Sequence, residues 1–208
     1  MPISITTGGK IITGGNTIVN AGDINPLSSQ GVPVDGVDGV AAQGTLVIEQ
    51  PVTDGDQFTY DTQEYTLLDT TLAAYDIAIG AGIAATKVNI VAAINASGTE
   101  GVEYHAGTLA HPTVVATAFA TDDMVVTARS TGTAGNAIVS AETGQGLTHA
   151  NNIFDGATLG TTTTGVTDVD GAYEGKISAG GFVFDHTNED MYENVGTQAK
   201  PAYDKIDA

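Results

Sequence analysis

The sequence predicts an α+β fold that is mostly β: an antiparallel sheet with one packed helix at about 83–98, an extended N-terminal arm and a C-terminal β-hairpin. Three observations lead there. Only Ile83 to Gly98, IAATKVNIVAAINASG, has apolar residues recurring at intervals of three and four, whereas the other apolar segments are short and alternate with period two. Gly, Asp and Pro punctuate the chain at the spacing of strand turns. Aromatic residues are limited to five Phe and seven Tyr with no Trp, so Ala, Val and Ile must fill the interior, which suits thin sheets and subunit contacts. Within 208 residues the expected parts are an arm at 1–43, a core module at 44–158, and a linker with the hairpin at 159–208.

The arm contains ISITT, KIITG and NTIVN, separated by Gly8-Gly9 and Gly14-Gly15. Each is too brief to fold alone except as an added strand, so the arm is expected to pair with a sheet edge of its own subunit or of a neighbour. Asp23-Ile24-Asn25-Pro26 marks a turn, and the following SSQGVPVDGVDGVAAQG has no clear period.

From Gly44 the pattern tightens. TLVIEQ alternates, Pro51 to Gly55 turns, and QFTYDTQEYTLLD reads as two strands joined near Asp61 to Gln63. The helix follows a loop from Thr70 to Gly82, with Ile83, Val88, Val91 and Ile94 as its stripe, helped by Ala84, Ile90 and Ala92. Lys87, Asn89 and Asn95 fall off the centre of that stripe. Gly98 can take the left-handed conformation that closes a helix, and Thr86 can cap a late-starting first turn. One helix cannot bury its own stripe, so a strand, strand, helix, strand, strand module is expected. TVVATAF, a turn at Thr121-Asp122-Asp123, and MVVTARS supply the second pair, with Val114, Ala116, Val125 and Thr127 on the face that receives the helix. TGTAGN reads as a wide turn leading into NAIVSAE.

The succession TLVIEQPVTDGDQFTYDTQEYTLLDT, NIVAAINASG and MVVTARSTGTAGNAIVSAET resembles a module of structural proteins from tailed-bacteriophage particles, over about residues 44–158. The resemblance implies a virion component. Beyond it, GATLGTTTTGVTDVDG reads as a Thr/Gly linker, and GFVFD and DMYENVG flank a turn at His186-Thr187-Asn188-Glu189, with Phe182, Phe184 and Tyr192 available for burial. This ending is similar to short C-terminal segments of phage head and fibre proteins.

Acidic residues outnumber basic ones 25 to 6, a formal charge of −19. Repulsion from phosphate argues against nucleic acid and anionic membrane surfaces as partners, and favours solubility or a basic partner. Without Cys there are no disulfides or thiolate metal sites. No stretch approaches the roughly 20 apolar residues of a membrane span, and Met1-Pro2-Ile3-Ser4 does not begin a secretory signal. The expected location is the virion, after assembly in the host cytoplasm.

The carboxylates invite a metal or catalytic reading: Asp54 and Asp56 around Gly55, Asp35 and Asp38 in VDGVDG, Asp168 and Asp170 in DVDG, and Asp185 to Asp190 in DHTNED. None has the spacing of a calcium loop, and Asp-Gly also writes a tight turn. Sugar hydrolysis needs two carboxylates across a cleft, here without Trp as a stacking platform. No Ser lies in GxSxG, and His105, His111, His149 and His186 lack zinc spacing. His111, before Pro112, reads as a loop residue. TGTAGN lacks the Lys and hydroxyl ending of a phosphate loop. Lys87 and Arg129 are each expected to be solvated or to pair with a carboxylate of a neighbouring subunit.

No catalytic residue, cofactor or metal ligand is therefore assigned, and the protein is expected not to be an enzyme. The leading expectation is a phage capsid decoration or cement protein, with the major capsid protein or other virion proteins as partners. A homotrimer is expected by analogy with cement proteins at threefold positions. The alternatives are a tail component (tube, baseplate or fibre) and an adhesin or carbohydrate-binding module, for which Tyr60, Tyr65, Tyr75, Tyr173 and Tyr192 are the aromatic supply.

Overall fold

The computed structural model describes residues 31–143 and 152–206, together with strand backbone at 4–5, 11–13, 16–19 and 27–29. The chain divides into two compact units, Gly39–Thr167 and the paired ends Met1–Asp38 with Asp168–Ala208. Residues 39–43 and 159–167 thus belong with the body, and arm and tail share one unit. His149 lies outside the described residues.

The arm segments form β1 (Ser4–Ile5), β2 (Ile11–Thr13) and β3 (Asn16–Val19), which pair with one another as an antiparallel sheet, followed by β4 (Leu27–Ser29). The larger unit contains β5 (Ala41–Ile48), β6 (Asp56–Tyr60), β7 (Gln63–Leu68), β8 (Asp76–Ala78), α1 (Ile83–Asn95), β9 (Val114–Ala116) and β10 (Asp123–Thr131). A 3₁₀ turn at Thr133–Ala137, β11 (Ser140–Thr143) and β12 (Asn152–Phe154) complete it. Its strands make two sheets, in the orders β12-β5-β10-β9 and β11-β6-β7-β8. All pairings are antiparallel except β7 with β8.

The predicted hairpin between β6 and β7 is present, with Tyr60 opposite Gln63 and Asp61 at φ 55 in the turn. Its inward residues Phe58, Tyr60, Tyr65 and Leu67 share one core with Leu46 and Ile48 of β5 and with Met124 and Val126 of β10. The β9–β10 hairpin is also present, but its inner face is Val114, Ala116, Met124, Val126 and Ala128. The expected Val125 and Thr127 point the other way, because a shift of one residue moves a strand's side chains to the opposite face.

The helix begins at Ile83 as expected and ends at Asn95, where Ala96 (φ 46) takes the left-handed closing conformation. Gly98 is left-handed too (φ +107) but lies beyond the closing turn. Thr86 is no N-cap: its hydroxyl accepts from the Gly80 N–H at 3.0 Å and donates to the Gly82 carbonyl at 3.2 Å. The buried face runs through Thr86, Asn89, Ile90, Ala93 and Ile94, while Val88 is 57% exposed. The expected stripe is rotated because bonds from Asn89 and Lys87 hold those polar side chains inside.

TGTAGN joins strands of different sheets, so it is a crossover and not the turn of a hairpin. Gly135 permits the crossing: a Cβ there would lie 2.9 Å from that of Ala128 and 3.0 Å from that of Ala42. GATLGTTTTG is not a free linker either. Leu159 is buried, Val166 bridges Val40 and Thr163 bridges Gln43. Its threonines, β-branched and able to bond, suit an extended edge.

In the smaller unit β13 (Phe182–Asp185), β14 (Asp190–Asn194) and β15 (Tyr203–Lys205) continue the sheet as β15-β14-β13-β4. The predicted C-terminal hairpin is there, and β4 of the arm joins it in parallel, Leu27 opposite Val183. Val183 and Tyr192 are buried; Phe182 and Phe184 remain half-buried on the other face.

Candidate functional site

The larger unit is built to close both seams between its sheets, and α1 closes one of them. Asn89 on α1 donates from Nδ2 to the Ala78 carbonyl of β8 at 2.8 Å. Asn95, two turns on, donates to the Ala116 carbonyl of β9 at 2.8 Å and accepts its N–H at 3.0 Å. One helix thereby takes outer backbone groups of an edge strand in each sheet, Ala116 of β9 and the Ala78 carbonyl of β8, whose remaining outer groups bond residues 103–105. At the other seam, the Ser140 N–H donates to the Ala157 carbonyl at 3.0 Å and its hydroxyl to the Gly156 carbonyl at 2.7 Å. Glu142 stands beside them; burial pushes its carboxyl up, against the opposing pull of the Phe154 N–H.

His111 ties the same elements from within. It is 1% exposed, and each of its polar atoms engages a different part of the body. Its N–H donates to the Ile94 carbonyl of α1 at 2.8 Å, and its carbonyl accepts from Arg129 Nε of β10 at 2.8 Å. Nδ1 accepts the N–H groups of Thr113 at 3.2 Å and Val114 at 3.3 Å. The ring proton therefore sits on Nε2, which donates to the Tyr60 carbonyl of β6 at 3.0 Å. Tyr65 stacks on the ring and Tyr60 meets it edge-on. Burial pushes both tyrosine hydroxyls up, so these neighbours are neutral phenols. With both nitrogens engaged, His111 serves as a joint between these elements. Sequence reading places it in a loop; only the Pro after it hints at a fixed backbone.

On the outside of α1 lies a groove of about 430 Å³, lined mainly by Ala84, Val88, Val91, Ala92 and Phe119. Lys87 borders it, held by Asp122 at 2.7 Å and the Thr121 carbonyl at 2.8 Å, with its ammonium 5.2 Å from the Phe119 ring centre. Lys87 is thus paired within its own chain, and Arg129 Nε is bound to His111. Lys87 needs no neighbour to be paired, while Arg129 is exposed.

The acidic motifs serve turns and loop ties. Asp56 accepts the Thr53 N–H at 2.6 Å, and Asp54 accepts the Asp69 N–H at 2.7 Å. Asp35 accepts the Tyr203 N–H, while Asp38 and Asp168 lie 3.7 and 2.8 Å from Lys200 Nζ. Asp170 is exposed. Asp185 accepts from the Thr187 N–H and the Asn188 amide, both at 2.7 Å, and Asp190 pairs with Lys205 at 3.0 Å. Among the described residues no group of three or more His, Cys, Asp or Glu is disposed to hold a metal. His105 is half-buried and His186 exposed in its turn. Of the five tyrosines considered for glycan stacking, Tyr60, Tyr65 and Tyr192 are buried, and Tyr75 and Tyr173 are half-buried. No helix among the described residues is long and apolar enough to cross a membrane.

Comparison with protein-family models, with curated proteins and with solved structures finds no match for the chain.

Proposed function

We propose that this chain is a bacteriophage virion structural protein, a capsid decoration or cement protein that stabilises the head shell through subunit contacts. The observation that carries the reading is the use made of the residues in the phage-like stretch. Asn95 of AAINASG caps β9, Arg129 of TARSTGTAGN holds the His111 carbonyl, and Gly135 permits the crossover between sheets. The motif thus specifies a body with blocked seams, and its acidic residues Asp54 and Asp56 serve turns and loop ties. Such a body offers a partner its faces: the outer side of α1, with exposed Val88 and its groove, is the apolar face adjoining Lys87. The major capsid protein is the proposed partner, and a trimer the proposed assembly.

Immunoelectron microscopy of purified particles tests this. Label distributed over the head is expected. Label confined to the tail would replace the cement reading with a tail component, and particles without label would end the virion reading.

A further inference from the structure

We infer that His111 is a pH-sensitive latch, whose protonation releases the start of β9 from its joint with β6 and the end of α1. The inference rests on geometry and is independent of the virion reading. Nδ1 accepts from the Thr113 and Val114 N–H groups, and the ring's other nitrogen already carries its proton toward the Tyr60 carbonyl. A second proton can only go to Nδ1. There it would face two N–H groups that also point inward, so neither of those bonds survives. The Thr113 hydroxyl, 3.3 Å from Nδ1, can turn to accept the new proton, but both N–H groups still lose their acceptor, and because the ring is buried between Tyr60 and Tyr65 water cannot replace it without opening the joint.

The charged and titratable groups around the ring are few. Tyr60 of β6 and Tyr65 of β7 are neutral. Asp61, at the β6–β7 turn, favours the cation, and Arg129 of β10 opposes it; α1 contributes only the Ile94 carbonyl. Burial is the largest influence and holds the imidazole below its ordinary range, against the Tyr60 carbonyl and Asp61, which pull it up. A histidine with a depressed value costs nothing while both folded and unfolded chains are neutral, above about pH 6.5. As the pH falls below that, the unfolded chain takes the proton first, and the folding constant drops by up to about tenfold per pH unit until the folded ring also titrates. Glu142, whose carboxyl burial pushes up, acts the other way as the pH falls.

The full chain can be followed by NMR from pH 7.5 to 5. His111 is expected to titrate below the ordinary histidine value of about 6.5, and protection of the Thr113 and Val114 amides to fall at least fivefold as it does. The Gly196 and Ala202 amides, which donate to Asn194 Oδ1, should keep their protection. His111→Asn retains an acceptor but does not titrate, so Thr113 and Val114 protection should become flat with pH. Titration of His111 at or above about 6.5, unchanged protection once the ring is charged, or a full pH response in the folded variant would each overturn the latch. If the variant does not fold, the wild-type titration and protection decide alone.

Discussion

The two units reach stability by different means. In Gly39–Thr167, side chains such as Leu46, Ile48, Phe58, Tyr65, Ile90, Ile94 and Met124 are removed from water almost completely in one continuous core. In the unit made from the chain ends, the described core is Ile177, Val183, Tyr192 and Tyr203, and the deepest positions beside them are polar: Asp185 and Asn194 are both 0% exposed. Asn194 alone satisfies four backbone groups, donating to the Ile177 and Thr197 carbonyls and accepting the Gly196 and Ala202 N–H groups. The larger unit adds its directional bonds to a wide apolar area, which tolerates approximate geometry, whereas the smaller one has little apolar area and leans on a few directional bonds, which do not.

Substitutions in each core test that contrast. Ile94→Ala leaves a cavity under α1 and should cost about 2–5 kcal/mol. Urea unfolding should show the loss, and hydrogen exchange should place it in Gly39–Thr167. Equal loss of protection in the terminal unit would show that the two unfold as a single block. The next largest effect is expected from Asn194→Ala, about 1–3 kcal/mol, because truncation strands buried donors and acceptors. Its exchange signature should be confined to Gly196, Ala202 and their neighbours; protection lost across the larger unit would break the comparison.

Acid separates the units as well. Burial pushes the Asp185 carboxyl up, but bonds from the Thr187, Asn188 and Gly31 N–H groups and the Asn188 side chain outweigh it, leaving the carboxyl below its usual range. Its contribution is therefore complete above about pH 3.9 and is lost only as the pH falls further, through its folded value. The larger unit, with His111 at its joint, responds below about pH 6.5. Glu142, raised by burial, opposes that response within the same unit, which is why amides bonded to the His111 ring are the informative probes.

How far the sequence reveals these features depends on the range of the interaction. Turn chemistry is local, so the Asp61 hairpin, the Thr121 turn and the His186–Glu189 hairpin are all readable from neighbouring residues. The helix is readable as an element, but not its orientation, because IAATKVNIVAAIN is apolar nearly all round and offers several equally good stripes. MVVTA likewise fits two registers, one residue apart. The roles of Asn89, Asn95 and His111 arise only when strand edges and carbonyls distant in sequence arrive beside them; Tyr60, bonded to the His111 ring, is 51 residues away. Period and composition give no signal for such bonds. The Thr-rich segment misleads for a related reason: it looks like a linker until residues 40–43 supply its partner backbone.

The smallest expected difference lies in the ion pairs. Lys87 and Asp122 are 2.7 Å apart with the lysine side chain 10% exposed, while Lys205 and Asp190 are 3.0 Å apart with exposures of 49% and 24%. Lys87→Met keeps the apolar stem against the α1 groove but removes a charge-assisted bond and strands the Thr121 carbonyl, a loss of about 1–2 kcal/mol. Lys205→Ala should cost less than about 1 kcal/mol. At 1 M salt, where screening acts within about 3 Å, the Lys205 effect should vanish and most of the Lys87 effect persist. The two are measured by the same urea titrations at low and high salt. An equal salt response would mean that water reaches Lys87 as freely as Lys205, and the contrast between the units would then rest on apolar area alone.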